Sequence, residues 1–321
     1  MAAADPSSTS ASPLVSVIIP VYLATPYIAG TLDSVLAQTF SNYEVILVND
    51  GSPDTEDLER AIAPYRDRIV YIVQENRGQA AARNTGIRAS RGVFLAFLDD
   101  DDQWEPEFLS FHTGAMQADP GMAVHYADAM IFGDTPMRGR TIMELTPSHG
   151  DATFHRLITR ACTVLNCAAL SRREAVLRAG MFDESYRYGE DIDLWLRIAR
   201  QGGRIGYKKK VVARCRLRPD SVSANVSRMI EGYLRVLAAI RKSPGLTPAD
   251  IEVLDRQIAA ENASLDLVEG KQALRNGDIG TARQRLQKAN AYFHRPKISA
   301  ALFLLRVVPK LFLTFYRRRA N

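Results

Sequence analysis

The 321-residue sequence predicts an α/β fold in which a doubly wound, mostly parallel sheet is followed by a helical appendage. Two observations predict the sheet: short apolar runs alternate with segments of helical period, and the runs are apolar on both faces. Such strands belong to parallel sheets that helices cover on each side. A third observation predicts the appendage, because almost every segment after Val226 has a helical pattern.

The predicted elements follow in a regular order. The predicted strands are Val15–Ile19, Val45–Val48, Ile69–Val73, Val93–Leu98 and Ile205–Lys210. The predicted helices are Thr25–Gln38, Gln79–Ala89 and Asp191–Arg200, followed by helices broken at Ser243-Pro244-Gly245 and Asn276-Gly277-Asp278. Apolar residues at helical spacing support the first helix, and an alanine-rich run supports the second.

Three regions divide the chain. Residues 1–13 are rich in Ala, Ser and Pro and lack the apolar segment of a signal peptide, so they are interpreted as a disordered leader. Residues 14–220 form the α/β domain, and residues 221–321 form the helical appendage. The boundary is predicted near Pro219–Ala224, between the last strand and the first appended helix.

Charge and cysteine content restrict the classes of partner and compartment. A net charge of +5 suits an anionic partner: a nucleotide sugar, a nucleic acid or an acidic membrane surface. A nucleic-acid partner is not expected, because the basic residues do not alternate with aromatic residues as in a stacking surface. Cys162, Cys167 and Cys215 contain no C-x-x-C pair, which argues against a disulfide framework or structural zinc and favours the cytoplasm.

Polar residues follow the predicted strands at the edge where ligands bind in open α/β sheets, beyond the carboxyl ends of the strands. Pro20-Val21-Tyr22 follows the first strand, Asp50 ends the second, and Asp99–Asp102 follows the fourth. Asp50 lies in Asn-Asp-Gly-Ser, a common turn sequence, so turn chemistry alone could account for it.

The run Asp99–Asp102 has two interpretations. Four consecutive carboxylates repel one another unless solvent or a cation neutralises them. Residues two apart in an extended loop point the same way, so Asp99 and Asp101 can share a hard cation such as Mn²⁺ or Mg²⁺. The alternative is an acidic turn that favours the N-terminus of the next helix electrostatically.

Two further groups allow both a structural and a functional interpretation. Arg83 is either a solvated helix residue or a guanidinium that recognises phosphate or a base edge. Asp191 and Asp193 stand at a helix start, where carboxylates stabilise the first turn, but one of them could instead act as a general base beside an acceptor hydroxyl. His149 and His155 lack partners at ligand spacing and are read as ordinary histidines.

Five motifs in order resemble the inverting family 2 glycosyltransferases of the GT-A fold, in particular those of bacteria. The motifs are Val15-Ser16-Val17-Ile18-Ile19-Pro20-Val21-Tyr22, Val48-Asn49-Asp50-Gly51-Ser52, Asn76-Arg77-Gly78 with Ala82-Arg83-Asn84-Thr85-Gly86, Phe97-Leu98-Asp99-Asp100-Asp101-Asp102-Gln103-Trp104, and Gly189-Glu190-Asp191-Ile192-Asp193-Leu194-Trp195-Leu196-Arg197. The resemblance covers roughly Leu14 to Arg218.

The resemblance implies a donor site for a nucleoside diphosphate sugar, with UDP as the expected nucleotide. Its residues would be Pro20, Val21, Tyr22, Asp50, Arg83, Asp99 and Asp100. Asp50 would accept from the base within a pocket formed by the Pro20-Val21-Tyr22 backbone, and Arg83 would help to hold the nucleotide. Asp99 and Asp101 would be the outer members of the D-x-D triplet and the ligands of the metal.

The same resemblance implies a catalytic base at Asp191 with Glu190 as its neighbour. One sugar would be transferred per encounter to a hydroxyl of a glycan or lipid-linked acceptor, a reaction of polysaccharide biosynthesis. The Gln-x-x-Arg-Trp motif of processive synthases is absent after Trp195. Leu23 stands where the family usually has Asn, which puts one local hydrogen bond in doubt.

Two other functions remain as alternatives. A nucleotidyltransferase would carry a glycine-rich, basic phosphate loop after its first strand, but Pro20–Thr25 contains neither Gly nor Lys. A non-catalytic nucleotide- or carbohydrate-binding module would have lost its acidic residues, whereas Asp99, Asp101 and Asp191 are all present. Hydrolysis of a donor in the presence of metal would separate an enzyme from a binding module.

The last helical segment, Ile298–Arg319, predicts a possible contact with an anionic membrane. Arg306, Lys310, Thr314 and Arg317 form one polar stripe, and apolar residues fill much of the remainder. Two basic residues and Pro309 interrupt the apolar run, which argues against a spanning helix. The segment therefore fits a peripheral helix at the inner face of the membrane, or else a core helix with exposed cations.

Overall fold

The computed structural model describes residues 12–218, residue 221 and residues 225–320. The chain forms two compact units that divide between Leu217 and Arg218. Apart from its last two residues, the predicted leader lies outside the described residues. So does the predicted boundary at Pro219–Ala224, except for Ser221.

Eight strands are found in the described part of the first unit. They are β1 (Val15–Val21), β2 (Tyr43–Asp50), β3 (Val70–Gln74), β4 (Phe94–Phe97), β5 (Gln103–Trp104), β6 (Met122–Phe132), β7 (Ala169–Arg172) and β8 (Arg204–Arg216). They form one sheet in the order β3-β2-β1-β4-β7-β6-β8-β5. Strands β3, β2, β1 and β4 are parallel, whereas β7 runs antiparallel to both of its neighbours.

Helices connect these strands. They are α1 (Ile28–Leu36), α2 (Thr55–Ile62), α3 (Gln79–Ala89), α4 (Phe108–Ala118), α5 (Ile142–Leu145), α6 (Phe154–Ile158), α7 (Arg173–Arg178) and α8 (Glu190–Arg200). The predicted mostly parallel α/β sheet is therefore confirmed. Helix α3 has the predicted bounds, and the predicted helix at Asp191–Arg200 begins one residue earlier.

Burial along the strands follows their place in the sheet. All seven residues of β1 are buried, because β1 lies in the interior of the sheet and is covered on both faces. Strand β3 lies at the edge, and there Val70 and Val73 are exposed. The apolar runs therefore form strands as predicted, but the strand at the edge of the sheet is less buried than the strand in its interior.

Strand β1 is longer than predicted and continues through Pro20. Pairing with β4 ends at Ile18, so Pro20 lies where only β2 is alongside, in register with Val48. The absent N–H of Pro20 therefore leaves no gap in a ladder on the β4 side.

The order of the strands reverses at β1. The chain proceeds from β1 to β2 and β3 on one side, and β4 then pairs with β1 on the other side. The carboxyl ends of β1, β2 and β4 consequently meet at one edge of the sheet, the usual place for a ligand in this architecture.

The second unit is helical. Its helices are α9 (Val226–Arg241), α10 (Pro248–Asn276), α11 (Ile279–Phe293), α12 (Pro296–Val307) and α13 (Pro309–Ala320). The two predicted breaks fall between helices: Thr247 caps the start of α10, and Gly277 at φ 85° ends it. Within the described residues, none of the helices has both the length and the apolar character needed to cross a membrane.

Candidate active site

The acidic turn after β4 is held by neighbouring elements. Thr31, on α1, donates to the carbonyls of Asp100 (3.0 Å) and Asp102 (2.8 Å). Arg216, at the end of β8, donates from Nε to the carbonyl of Asp101 (3.0 Å) and from its backbone N–H to a carboxylate oxygen of Asp102 (2.7 Å). Asp99–Asp102 thus forms a fixed turn rather than a mobile acidic loop.

Each acidic side chain of the turn has its own environment. Asp99 is half-buried, and its Oδ1 accepts from Arg83 (2.7 Å) and from Gln79 (2.9 Å), both on α3. Asp100 accepts from the backbone N–H of Tyr22 at 3.0 Å. Asp102 is buried, and burial raises its pKa well above the usual range, with a further contribution from Cys215. The turn therefore combines accessible and buried carboxyl groups.

Arg83 connects the acidic turn to the second acidic cluster. Its guanidinium is 2% exposed, and its Nη1 donates to Oε1 of Glu190 at 2.6 Å while Nη2 donates to Asp99. Burial disfavours the charged form of Arg83, but the charges of Asp99 and Glu190 outweigh it and raise its pKa. Its Nε has no hydrogen-bond partner within the described structure.

Asp191 lies at the start of α8, directly after Glu190. Gly189 adopts the left-handed conformation at φ 82° and turns the chain into the helix. Burial and the charge of Glu190 together raise the pKa of Asp191 to about 7, and the charge of Arg83 partly opposes them. A carboxylate with a pKa near neutrality has the proton affinity that a general base requires.

Asp50 lies apart from this network. It is buried at the end of β2, where it accepts from the side chain of Gln74 (2.7 Å) and the backbone N–H groups of Arg77 (3.0 Å) and Gly78 (2.8 Å). In the described structure none of its bonds joins it to Asp99, Arg83 or Glu190. Asp50 therefore fixes the loop that leads into α3, and so positions Arg83.

The segment after β1 is exposed. Tyr22 is 47% exposed and Leu23 is 51% exposed. Leu23 has a φ of 56°, in the left-handed region that Asn tolerates and Leu rarely adopts. Its backbone N–H donates to Ser52 at 2.8 Å, which supplies a local bond at the position where the resemblance left one in doubt.

A group of potential soft-metal ligands lies behind the turn. The Sγ atoms of Cys167 and Cys215 and a carboxylate oxygen of Asp102 lie within 4.8 Å of one another. Within the described residues no fourth His, Cys, Asp or Glu joins them, and the carboxylate already accepts from Arg216. Cys167 belongs to the apolar core of the sheet and Cys215 packs against it, so both thiols are accounted for as small core side chains.

Comparison with known proteins is consistent with this geometry. The family model described as "Glycosyl transferase family 2" matches residues 16–178. The chain belongs to this family. As a family 2 glycosyltransferase it is an enzyme that depends on a nucleotide sugar, and four of the five motifs lie within the matched region.

The glycosyltransferase is similar to the uncharacterized glycosyltransferase RP339 of Rickettsia prowazekii, with 29% identity over 69% of this chain and 70% of that protein. The chain spans only about a third of the length of three other relatives, those of Rickettsia bellii, Rickettsia felis and Rickettsia conorii. Among solved structures, S. aureus TarS in complex with UDP-GlcNAc has a TM-score of 0.62 at 17% identity, covering 94% of this chain and 89% of that one. The mannosyltransferase PcManGT from Pyrobaculum calidifontis, in complex with GDP-Man and Mn²⁺, has a TM-score of 0.62 at 20% identity, covering 97% and 85%. These structures show that the sheet has the predicted GT-A fold.

Some residues of the glycosyltransferase site were not singled out by the sequence. Thr31, Gln79 and Arg216 hold the turn and its first carboxylate, but nothing in their sequence surroundings distinguishes them. Gln103 and Trp104 form β5 and pair with β8, and the next helix, α4, begins at Phe108. Cross-strand pairing of this kind joins segments about 110 residues apart and has no local signal.

Proposed function

We propose that this glycosyltransferase moves one sugar from a UDP-linked donor to a hydroxyl of a glycan or lipid-linked acceptor, with inversion at the anomeric carbon. One observation carries the proposal: buried Arg83 binds Asp99 and Glu190 together. This brings the start of α8, with Asp191, to the carboxyl end of β4. This proximity supports a single site that combines Asp99, the proposed donor-binding carboxylate, with Asp191, the proposed base.

The reaction requires a single displacement. Asp191 would take the proton of the acceptor hydroxyl as the oxygen of that hydroxyl attacks the anomeric carbon. The bond from that carbon to the diphosphate oxygen breaks on the opposite face, and its electron pair leaves with UDP. The pKa of Asp191 near 7 supports this role, because the group is substantially ionised at neutral pH and can still hold a proton.

A divalent cation fits the carboxylates of the turn. Oxygen ligands suit Mn²⁺ and Mg²⁺. Asp99 uses only Oδ1 for Arg83 and Gln79, so its Oδ2 accepts no hydrogen bond from a described residue. Asp99 and Asp101 would hold the metal, which when bound offsets the negative charge of the departing diphosphate.

The donor site that we propose surrounds the ends of β1 and β2. The Pro20-Val21-Tyr22 backbone forms its rim, and the bond from Tyr22 to Asp100 ties this rim to the acidic turn. Asp50 is proposed to accept from the base through Oδ2, which accepts only one hydrogen bond in the described structure, from the backbone N–H of Gly78. TarS binds UDP-GlcNAc and PcManGT binds GDP-Man, so both nucleotides should be compared.

The cytoplasm is the proposed compartment. Cys162, Cys167 and Cys215 are free thiols, which suits a reducing environment. Contact with the inner face of a membrane would bring the enzyme close to a lipid-linked acceptor, the substrate class expected in polysaccharide biosynthesis.

The test is transfer of a labelled sugar by wild type and by Asp191→Asn. Loss of a general base costs about 10²–10⁴-fold in turnover. Asp191→Asn should show that loss with little change in UDP binding, whereas Asp183→Asn, at an exposed carboxylate in the loop before α8, should retain activity. Equal turnover in Asp191→Asn, or a product with retained anomeric configuration, would overturn the proposal.

A further inference from the structure

The charge of the second unit is strongly asymmetric. From Ile279 to Asn321 the sequence contains ten Lys and Arg residues and no Asp or Glu. Some of this charge is neutralised locally, because Arg285 pairs with Asp266 and Glu269 on α10. Arg306 and Lys310, by contrast, are exposed, and no described carboxylate pairs with them.

One side of α12 and α13 belongs to the core of the unit. Ile298 and Leu305 are buried together with Leu274 and Leu286. Leu302, Phe312, Leu313 and Tyr316 pack against this core from the same helices. One side of α12 and α13 therefore packs in the core of this unit, as expected for a core helix, but the other side does not.

The other side presents large apolar residues to solvent. Phe303 (64% exposed), Val307 (58%), Leu311 (57%) and Phe315 (62%) recur at steps of four, and Leu304 and Val308 are also exposed. Single exposed apolar residues are normal on a soluble protein, but six within thirteen residues form a patch of the kind that marks an interaction surface.

Basic residues border this patch. Arg306 follows Phe303 by three positions on α12, so it lies on the neighbouring stripe of that helix, and Lys310 lies in the first turn of α13, directly before Leu311. An apolar face beside a cationic one is the arrangement of helices that lie in the plane of a membrane interface. A protein partner would need a matching acidic surface, whereas an anionic bilayer supplies both hydrocarbon and negative charge.

We propose that Phe303, Val307, Leu311 and Phe315 form a membrane-binding face that enters the headgroup region of an anionic phospholipid bilayer. The helices lie on the bilayer and do not cross it, since neither is long and apolar enough. Arg306 and Lys310 bind lipid phosphates at the border of the face. This inference does not rest on the proposed reaction, so either can fail alone.

Vesicle flotation of the full chain tests the face. The protein should float with phosphatidylglycerol-containing vesicles, fail to float with phosphatidylcholine alone, and be released by high salt. The triple variant Phe303→Gln, Leu311→Gln and Phe315→Gln should lose on the order of a thousandfold or more in partitioning, because each side chain contributes roughly 1.5 kcal/mol or more when buried. Arg306→Gln with Lys310→Gln should lose roughly thirtyfold, at about 1 kcal/mol per basic residue.

A matched control is Val70→Gln with Val73→Gln, which replaces exposed apolar residues on the edge strand β3 and should float like wild type. Circular dichroism of each variant establishes that it is folded. The proposal is overturned if wild type does not float with anionic vesicles, or if the folded triple variant floats equally well. It is also overturned if the triple variant only converts an oligomer into a monomer, because the face would then bind a second copy.

Discussion

Arg83 donates to Glu190 at 2.6 Å, across 107 positions of sequence. The bond joins α3, which lies between β3 and β4, to the first residue of α8, the helix that also carries Asp191. Because the same guanidinium binds Asp99, the relative placement of the proposed donor site and the proposed base depends on one buried cation. We therefore propose that Arg83 positions these two carboxylates, and the nucleotide contact that the resemblance implies for Arg83 stays a prediction.

Replacing Arg83 should destabilise the protein strongly. Arg83→Met leaves Asp99 and Glu190 without their cation, and removal of one partner of a buried ion pair typically costs about 3–5 kcal/mol. Arg88→Met, on the same helix, removes an exposed arginine near Glu184 and should cost about 1 kcal/mol or less. Urea unfolding of the two variants measures the difference, and similar stabilities would show that the network is unimportant.

The pH dependence of turnover should report Asp191. A base works when ionised, so kcat/KM should rise as the pH increases through about 7, the value to which burial and Glu190 raise the pKa of Asp191. In Glu190→Gln the neighbouring negative charge is gone, and the rising limb should move to lower pH. A limb that stays in place, or moves upward, would contradict this electrostatic account.

Helix α3 and strand β8 show how much of the fold the local sequence pattern predicts. Helix α3 was predicted to the residue, because an alanine-rich run begins directly after Gly78 and ends before Gly92. Strand β8 was predicted as Ile205–Lys210 but runs from Arg204 to Arg216, since pairing with β6 and β5 continues the strand beyond the three lysines Lys208–Lys210.

The site shows the same division. Motif and position predict the acidic turn and Asp191 as site residues. In the structure, Arg83 joins Asp99 of this turn to Glu190, the residue before Asp191. The resemblance placed Arg83 in the site but not between the two carboxylates, because only the folded sheet brings residues 83, 99 and 190 together. No sequence pattern predicts the hydrogen bonds that Asp50 accepts from the loop before α3.

Stability should fall on mild acidification because of a buried histidine pair. His112 and His125 face each other with Nδ1 atoms 2.9 Å apart. Burial lowers the pKa of His125 to about 4 and that of His112 well below its usual range. The unfolded chain takes up protons near pH 6.5 while the folded chain does not, so this stability is complete above about pH 6.5 and is lost as the pH falls toward 4.

The expected slope is up to about 1.4 kcal/mol per pH unit for each histidine. Thermal or urea unfolding between pH 7.5 and 5 measures it. His125→Gln should flatten the dependence, whereas His149→Gln, at an exposed site, should leave it unchanged. A wild-type stability that stays constant over this range would contradict the assignment.

Leu23→Asn should stabilise the protein. Leu23 occupies the left-handed region at φ 56°, which costs a non-glycine residue roughly 1 kcal/mol and which Asn tolerates better. A gain of up to about 1 kcal/mol in the free energy of unfolding is expected, measured in urea. Tyr22→Asn, at the adjacent exposed position, lacks the positive φ and should bring no gain. Destabilisation by Leu23→Asn would mean that the side chain of Leu23 has a packing role.

The most direct test of the donor site is calorimetric titration of UDP into the protein with Mn²⁺ and with EDTA, for wild type and for Asp101→Asn. A metal at Asp99 and Asp101 predicts binding about tenfold or more tighter with Mn²⁺, and loss of that advantage in the variant. Equal affinity for UDP with Mn²⁺ and with EDTA in the wild-type protein would contradict the account.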